Sequence, residues 1–68
     1  MSQQATPKQI DHIIRLVNRI TGQRSGYISQ CDGHAGLDLT QREKKGGMTK
    51  AEASAHIDAL TARAAREG

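Results

Sequence analysis

The chain has 68 residues and a formal net charge of +3, from ten Lys and Arg against seven Asp and Glu. That length holds one small domain, 1–68, and excludes a complete dinucleotide-binding unit or an eight-stranded α/β barrel. Isoleucine, leucine and valine number 11, about 16% of the chain, and Phe and Trp are absent, so the core is small and the fold marginal.

Residues 1–5 are polar and carry no structural signal; they are expected to be disordered. Thr6-Pro7-Lys8-Gln9 then reads as a capping box with proline at the first helical position. Ile10, Ile13, Ile14, Val17 and Ile20 follow at steps of three and four, the period of one helical face. Gly22 supplies the stop. The pattern predicts an amphipathic helix over about 7–21.

Residues 23–48 form a connecting segment. Tyr27-Ile28 and Leu37-Asp38-Leu39 flank the turn-rich string Cys-Asp-Gly-His-Ala-Gly. A short β-hairpin fits this pattern, and so does one helical turn around Asp38–Lys45; the expectation is a mostly irregular connection with a possible short hairpin. Gly46-Gly47 reads as a hinge. Thr49-Lys50-Ala51-Glu52 is a second capping box, with Met48 and Ala53 placed as its hydrophobic staple. Ala53, Ile57, Leu60 and Ala64 make an apolar stripe, and seven alanines between Ala51 and Ala65 add helix propensity. The second helix is expected over about 50–65. The fold class is mainly α: two amphipathic helices joined by a long loop. The large apolar residues available to its core include Tyr27, Ile28, Leu37, Leu39 and Met48 besides the helical stripes.

The single cysteine, Cys31, cannot form an internal disulfide, which suits a reducing compartment. No signal-peptide core or membrane-length apolar run is visible, so the expected location is the cytoplasm, without membrane association.

The text of both helices resembles a small actinobacterial and bacteriophage helix–loop–helix family of unknown function. In that family a helix opening Thr-Pro-x-Gln-Ile is followed, after a variable loop, by Leu/Met-Thr-Lys-Ala-Glu-Ala-Ser-x-x-Ile-Asp-x-Leu. Thr6-Pro7-Lys8-Gln9-Ile10 matches the first part; Met48 to Ser54 with Ile57-Asp58 and Leu60 matches the second. The resemblance covers about 30 residues and leaves out the middle of the chain. It implies a bacterial or phage origin, with a host cytoplasm if phage-encoded, and an association with phage nucleic-acid-processing proteins.

Catalysis and metal binding find little material. Cys31-Asp32-Gly33-His34 has the spacing of half a zinc site, but a second pair of ligands is missing and the expected state is an exposed turn with a free thiol. No group is placed to orient a Cys31–His34 nucleophile pair, and neither glycine pair has a phosphate-loop ending. The expectation is a non-enzyme without cofactor or small-molecule substrate. Two partner classes remain. Lys8, His12, Arg15 and Arg19 line one stripe opposite the isoleucines, over about 16 Å of helix, a spacing suited to backbone phosphates. Gln9 and Asn18 flank it, and Lys44, Lys45 and Lys50 extend the basic surface, Lys50 at a helix N-terminus suited to phosphate. One aromatic residue in the chain argues against single-strand binding by stacking. The other class is protein: Ala51, Ala55, Ala59 and Ala62 form a small-residue strip that fits a second copy or a host protein. The phage resemblance tips the reading towards nucleic acid.

Overall fold

The computed structural model describes residues 3–34 and 36–67. The chain is mainly helical. Helix α1 spans Pro7–Thr21, a 3-10 turn covers Ile28–Cys31, a π-type turn covers Glu43–Gly47, and helix α2 spans Lys50–Glu67.

Each helix starts where its capping residues dictate. The Gln9 amide donates to Thr6 Oγ1 at 3.2 Å, and the Thr6 amide donates to Gln9 Oε1 at 3.0 Å. Gly22 closes α1 in the left-handed region (φ 75°), its amide donating to the Asn18 carbonyl at 2.7 Å, a geometry that a side chain would strain. At α2 the Glu52 amide donates to Thr49 Oγ1 (3.1 Å) and the Thr49 amide to Glu52 Oε1 (2.9 Å). The staple residues Met48 and Ala53 are both buried. Helix α2 runs to Glu67, two residues beyond the expected end.

The two helices pack on each other more extensively than any other pair of elements. Ile13 and Val17 of α1 meet Ala53 and Leu60 of α2 in one buried cluster. They run in the same direction. Their starts are tied together, since the Ala5 amide donates to the Met48 carbonyl (2.8 Å) and the Lys50 amide to the Gln3 carbonyl (2.9 Å). Towards their other ends, Leu16 and Arg19 border the same groove as Thr61, Ala64 and Ala65. The connector therefore travels back along the pair.

The ties at the helix starts correct the expectation for the N-terminus. Residues 3–5 are not loose: Gln4 forms an isolated antiparallel bridge with Thr49, and Ala5 packs against the core. The amide of Lys50 would otherwise be an unsatisfied donor at a helix start, and the Gln3 carbonyl supplies its partner. Residues 1 and 2 lie outside the described residues.

The hairpin expected in the connector does not form among the described residues. Leu37 and Leu39 both turn into the core, and the Leu39 amide donates to the Asp32 carboxylate at 2.9 Å, not to a neighbouring strand. Tyr27, counted towards the core, is 71% exposed. The alternative of a helical turn is what the structure contains: residues 41–42 are helical and lead into the π-type turn. Its start is a third capping box. The Glu43 amide donates to Thr40 Oγ1 (3.2 Å) and the Thr40 amide to Glu43 Oε1 (3.1 Å).

The buried apolar set is completed by Cys31, Leu37, Leu39 and Met48 from the connector. Cys31 is fully buried, not on an exposed turn, because Ile28 and Cys31 fall on the same side of the 3-10 turn, whose amphipathic spacing presses both on α1. One charged residue joins this interior. Glu43 is 4% exposed, and its Oε2 accepts from His56 Nε2 at 2.7 Å, tying the connector to the middle of α2.

Candidate nucleic-acid interface

The face of α1 opposite the buried Ile13 and Val17 carries Lys8, His12, Arg15 and Arg19, all exposed. With Asp11 and Leu16 they surround one shallow groove of about 530 Å³. The arrangement follows directly from the helical period: residues at steps of four, three and four share a stripe, and the capped, rigid helix fixes their spacing. Arg15 Nε donates to Asp11 Oδ2 at 3.0 Å, with the two side chains 79% and 57% exposed. So exposed a pair contributes little to stability and exchanges readily for an external anion. Arg19 also borders the groove between α1 and α2.

The three remaining basic residues singled out from the sequence do not border that groove. Lys44 is half-buried and donates to Asp32 Oδ2 at 3.1 Å, an ion pair inside the connector. Lys45 and Lys50 are exposed. The N-terminus of α2 is not the open anion site expected beside Lys50: its Lys50 and Glu52 amides are taken by the Gln3 carbonyl and the Thr49 hydroxyl, and the Glu52 carboxylate stands there as well. Gln9 and Asn18 are likewise engaged. Gln9 belongs to the α1 cap, and Asn18 grips the connector backbone through both atoms of its amide, Nδ2 donating to the Ser25 carbonyl (3.1 Å) and Oδ1 accepting from the Ser25 amide (2.9 Å).

Three carboxylates elsewhere, those of Asp32, Glu43 and Glu52, are spent on structure. The hydrogen bond from the Leu39 amide, followed by Lys44, holds the Asp32 carboxyl below its usual range. Glu52 is lowered chiefly by the Thr49 amide. For Glu43 burial is the largest influence and acts upward, but the hydrogen bonds from His56 and Thr40 together outweigh it, and the carboxyl stays below its usual range. Burial pushes the Cys31 thiol up, which works against a thiolate nucleophile or ligand. Among the described residues no three His, Cys, Asp or Glu side chains gather in a way that would hold a metal ion.

The sequence reading missed the Glu43–His56 pair. The Thr40-x-x-Glu43 capping signature was available to mark Glu43 as ordered, but nothing local marks it as buried.

In comparison with known proteins, the chain matches no family model, no curated protein and no solved structure. Among the described residues no helix is long and apolar enough to cross a membrane.

Proposed function

We propose that this is a small non-enzymatic accessory protein that binds nucleic acid through its backbone phosphates, using the outer face of α1. The observation that carries the reading is the grouping of Lys8, His12, Arg15 and Arg19 around one open groove on a helix whose other face is locked into the core. Three permanent positive charges on a rigid support match a charged polymer of regular spacing. Lys45 and Lys50 add flanking charge, whereas Lys44 is committed to Asp32. Duplex is favoured over single strand because the chain's one aromatic ring, Tyr27, offers no platform of successive stacking surfaces. The resemblance of both helices to a bacterial and phage module points the same way.

A second reading, a protein-interaction module, has its own support: Ala51, Ala55, Ala59 and Ala62 are all exposed along α2. The two readings separate in a fluorescence-anisotropy titration of labelled duplex DNA at two salt concentrations. Replacing Arg15 and Arg19 together by Gln should weaken binding and flatten the slope of log affinity against log salt by about two units. Wild-type protein that fails to bind duplex even at about 50 mM salt would end the nucleic-acid reading.

A further inference from the structure

The groove on α1 holds one group that a purely phosphate-binding face has no use for. Asp11 lies among Lys8, His12, Arg15 and Arg19, and a carboxylate there repels the phosphates that its neighbours attract. An ion pair of this spacing supports a helix only slightly in water, so stability does not account for it.

The way Asp11 pairs is specific. Its Oδ2 stands 3.0 Å from Arg15 Nε, the inner nitrogen of the guanidinium. Among the described residues neither side chain has another partner. The outer edge of the guanidinium, Nη1 and Nη2, is left as a fork of donors, and the carboxylate keeps acceptor capacity to spare. These two features match one base pair. In the major groove guanine offers two adjacent acceptors, O6 and N7, at the spacing of an arginine fork, and its cytosine offers an amino donor. Adenine has a donor where guanine has O6, so the fork does not fit it. The major groove of B-form DNA admits an α-helix, whereas that of double-stranded RNA is too narrow for side chains to read. Helix α1 has the right side free: Ile13 and Val17 are buried, while Asp11, His12 and Arg15 are exposed.

We propose that α1 reads guanine in the major groove of duplex DNA, with the Nη1–Nη2 fork of Arg15 donating to guanine O6 and N7 and Asp11 as the positioning residue that aims it. Lys8, two turns before Arg15, and Arg19, one turn after it, hold phosphates on either side. The inference rests on the nucleic-acid reading above and adds a base preference to it. Once base edges displace the water around the Arg15–Asp11 pair, its electrostatic strength rises, and that is when the aim of the fork matters.

The test is fluorescence anisotropy of the full chain with three labelled duplexes of equal length at about 50 mM salt. One alternates G·C, one alternates A·T, and the third is the G·C duplex with 7-deazaguanine, which lacks N7. Wild type should bind the G·C duplex about tenfold more tightly than the A·T duplex, and 7-deazaguanine should remove most of that preference. Asp11→Asn deletes a negative charge, so it should bind the A·T duplex more tightly than wild type does, while its preference for G·C falls about threefold or more. Repulsion alone does not produce those opposed signs. Arg15→Lys keeps the charge but not the fork, and should lose the preference too. Asp58→Asn, exposed on α2 and outside the groove, makes the same change in net charge and should keep the wild-type preference. Wild type that binds neither duplex ends the phosphate reading and this one with it. With binding intact, equal affinity for the G·C and A·T duplexes, a preference that survives 7-deazaguanine, or an Asp11→Asn variant that tightens both duplexes by the same factor overturns the guanine assignment alone.

Discussion

Helices and connector divide this molecule's work in a way their sequences do not advertise. The helices carry written-out caps and regular apolar stripes; the connector carries glycines, charges and scattered aliphatics. Yet Cys31, Leu37, Leu39 and Met48, all between α1 and α2, make up four of the eight buried apolar residues among those described. The connector also brings Glu43, the single charged side chain among the described buried residues. Because α1 and α2 run in the same direction, the chain must return along their length, and that return passes directly over the open side of the helix pair. An irregular backbone is here a third wall of the core.

The sharpest way to break that comparison is to remove equal bulk from each region. Ile13→Ala and Leu39→Ala each empty a buried site and should cost about 2–4 kcal/mol. A connector that merely drapes over the helices would give the Leu39 variant almost no effect. Urea or thermal melts followed by circular dichroism measure both. Equal losses establish the connector as core; a Leu39→Ala melt that overlays wild type refutes it.

Next in size is the tie between the regions. His56→Ala leaves the Glu43 carboxylate buried without its closest partner, at a cost of about 2 kcal/mol once the partial solvent access of His56 is allowed for. The same pair sets an acid limit. The pKa of Glu43 is lower in the folded state than in the unfolded chain, so the unfolded state binds more protons as the pH drops. Its contribution is fully present above about pH 4.3 and is lost progressively below that, as the pH falls through the folded value. Stability measured across this range should fall less steeply in Glu43→Gln than in wild type. Identical acid profiles would show that the carboxylate is not held as described.

The caps give a smaller and closely matched pair of tests. Thr49→Ala removes the N-cap acceptor of α2, and Thr40→Ala removes the corresponding acceptor in the connector. Each should cost about 1 kcal/mol, several degrees in melting temperature for a domain of this size. A silent Thr40→Ala would mean that the connector's box is decorative while that of the helix is structural.

How much of this was readable follows from how local each interaction is. Thr6, Gln9, Thr49 and Glu52 bond within four residues, so their spacing alone announced both helix starts, and Gly22 announced the stop. The basic stripe of α1 was readable for the same reason, since a rigid period of 3.6 residues fixes which side chains share a face. What escaped reading depends on the return of the chain. From its sequence context Lys44 reads as an extension of the basic surface, but Asp32, twelve residues earlier, holds it in an ion pair. Glu43 and His56 are thirteen residues apart, and the Gln3 and Lys50 partners are separated by about two thirds of the chain. Leu37 and Leu39 were counted as core material, but their alternation suggested a strand. An i, i+2 pair facing one way needs only an extended stretch, and a side-chain carboxylate can satisfy its amide as well as a neighbouring strand can.

The smallest effect belongs to Tyr27, the largest apolar side chain of the connector and the one that stands outside the core. Its neighbours are anchored without it: Gln30 Oε1 accepts from the Gly26 and Tyr27 amides at 2.7 and 3.2 Å, and Ile28 and Cys31 carry the packing of the 3-10 turn on α1. The ring is 71% exposed, so little apolar area is lost when it is removed. Tyr27→Ser should therefore change stability by less than about 0.5 kcal/mol, although it deletes a larger side chain than Leu39→Ala does. Melting curves of the two variants side by side separate size from burial within one segment. If Tyr27→Ser proved as costly as Leu39→Ala, the 3-10 turn would have to pack with the ring inward, and the description of the connector as a wall built from Cys31, Leu37, Leu39 and Met48 would fail.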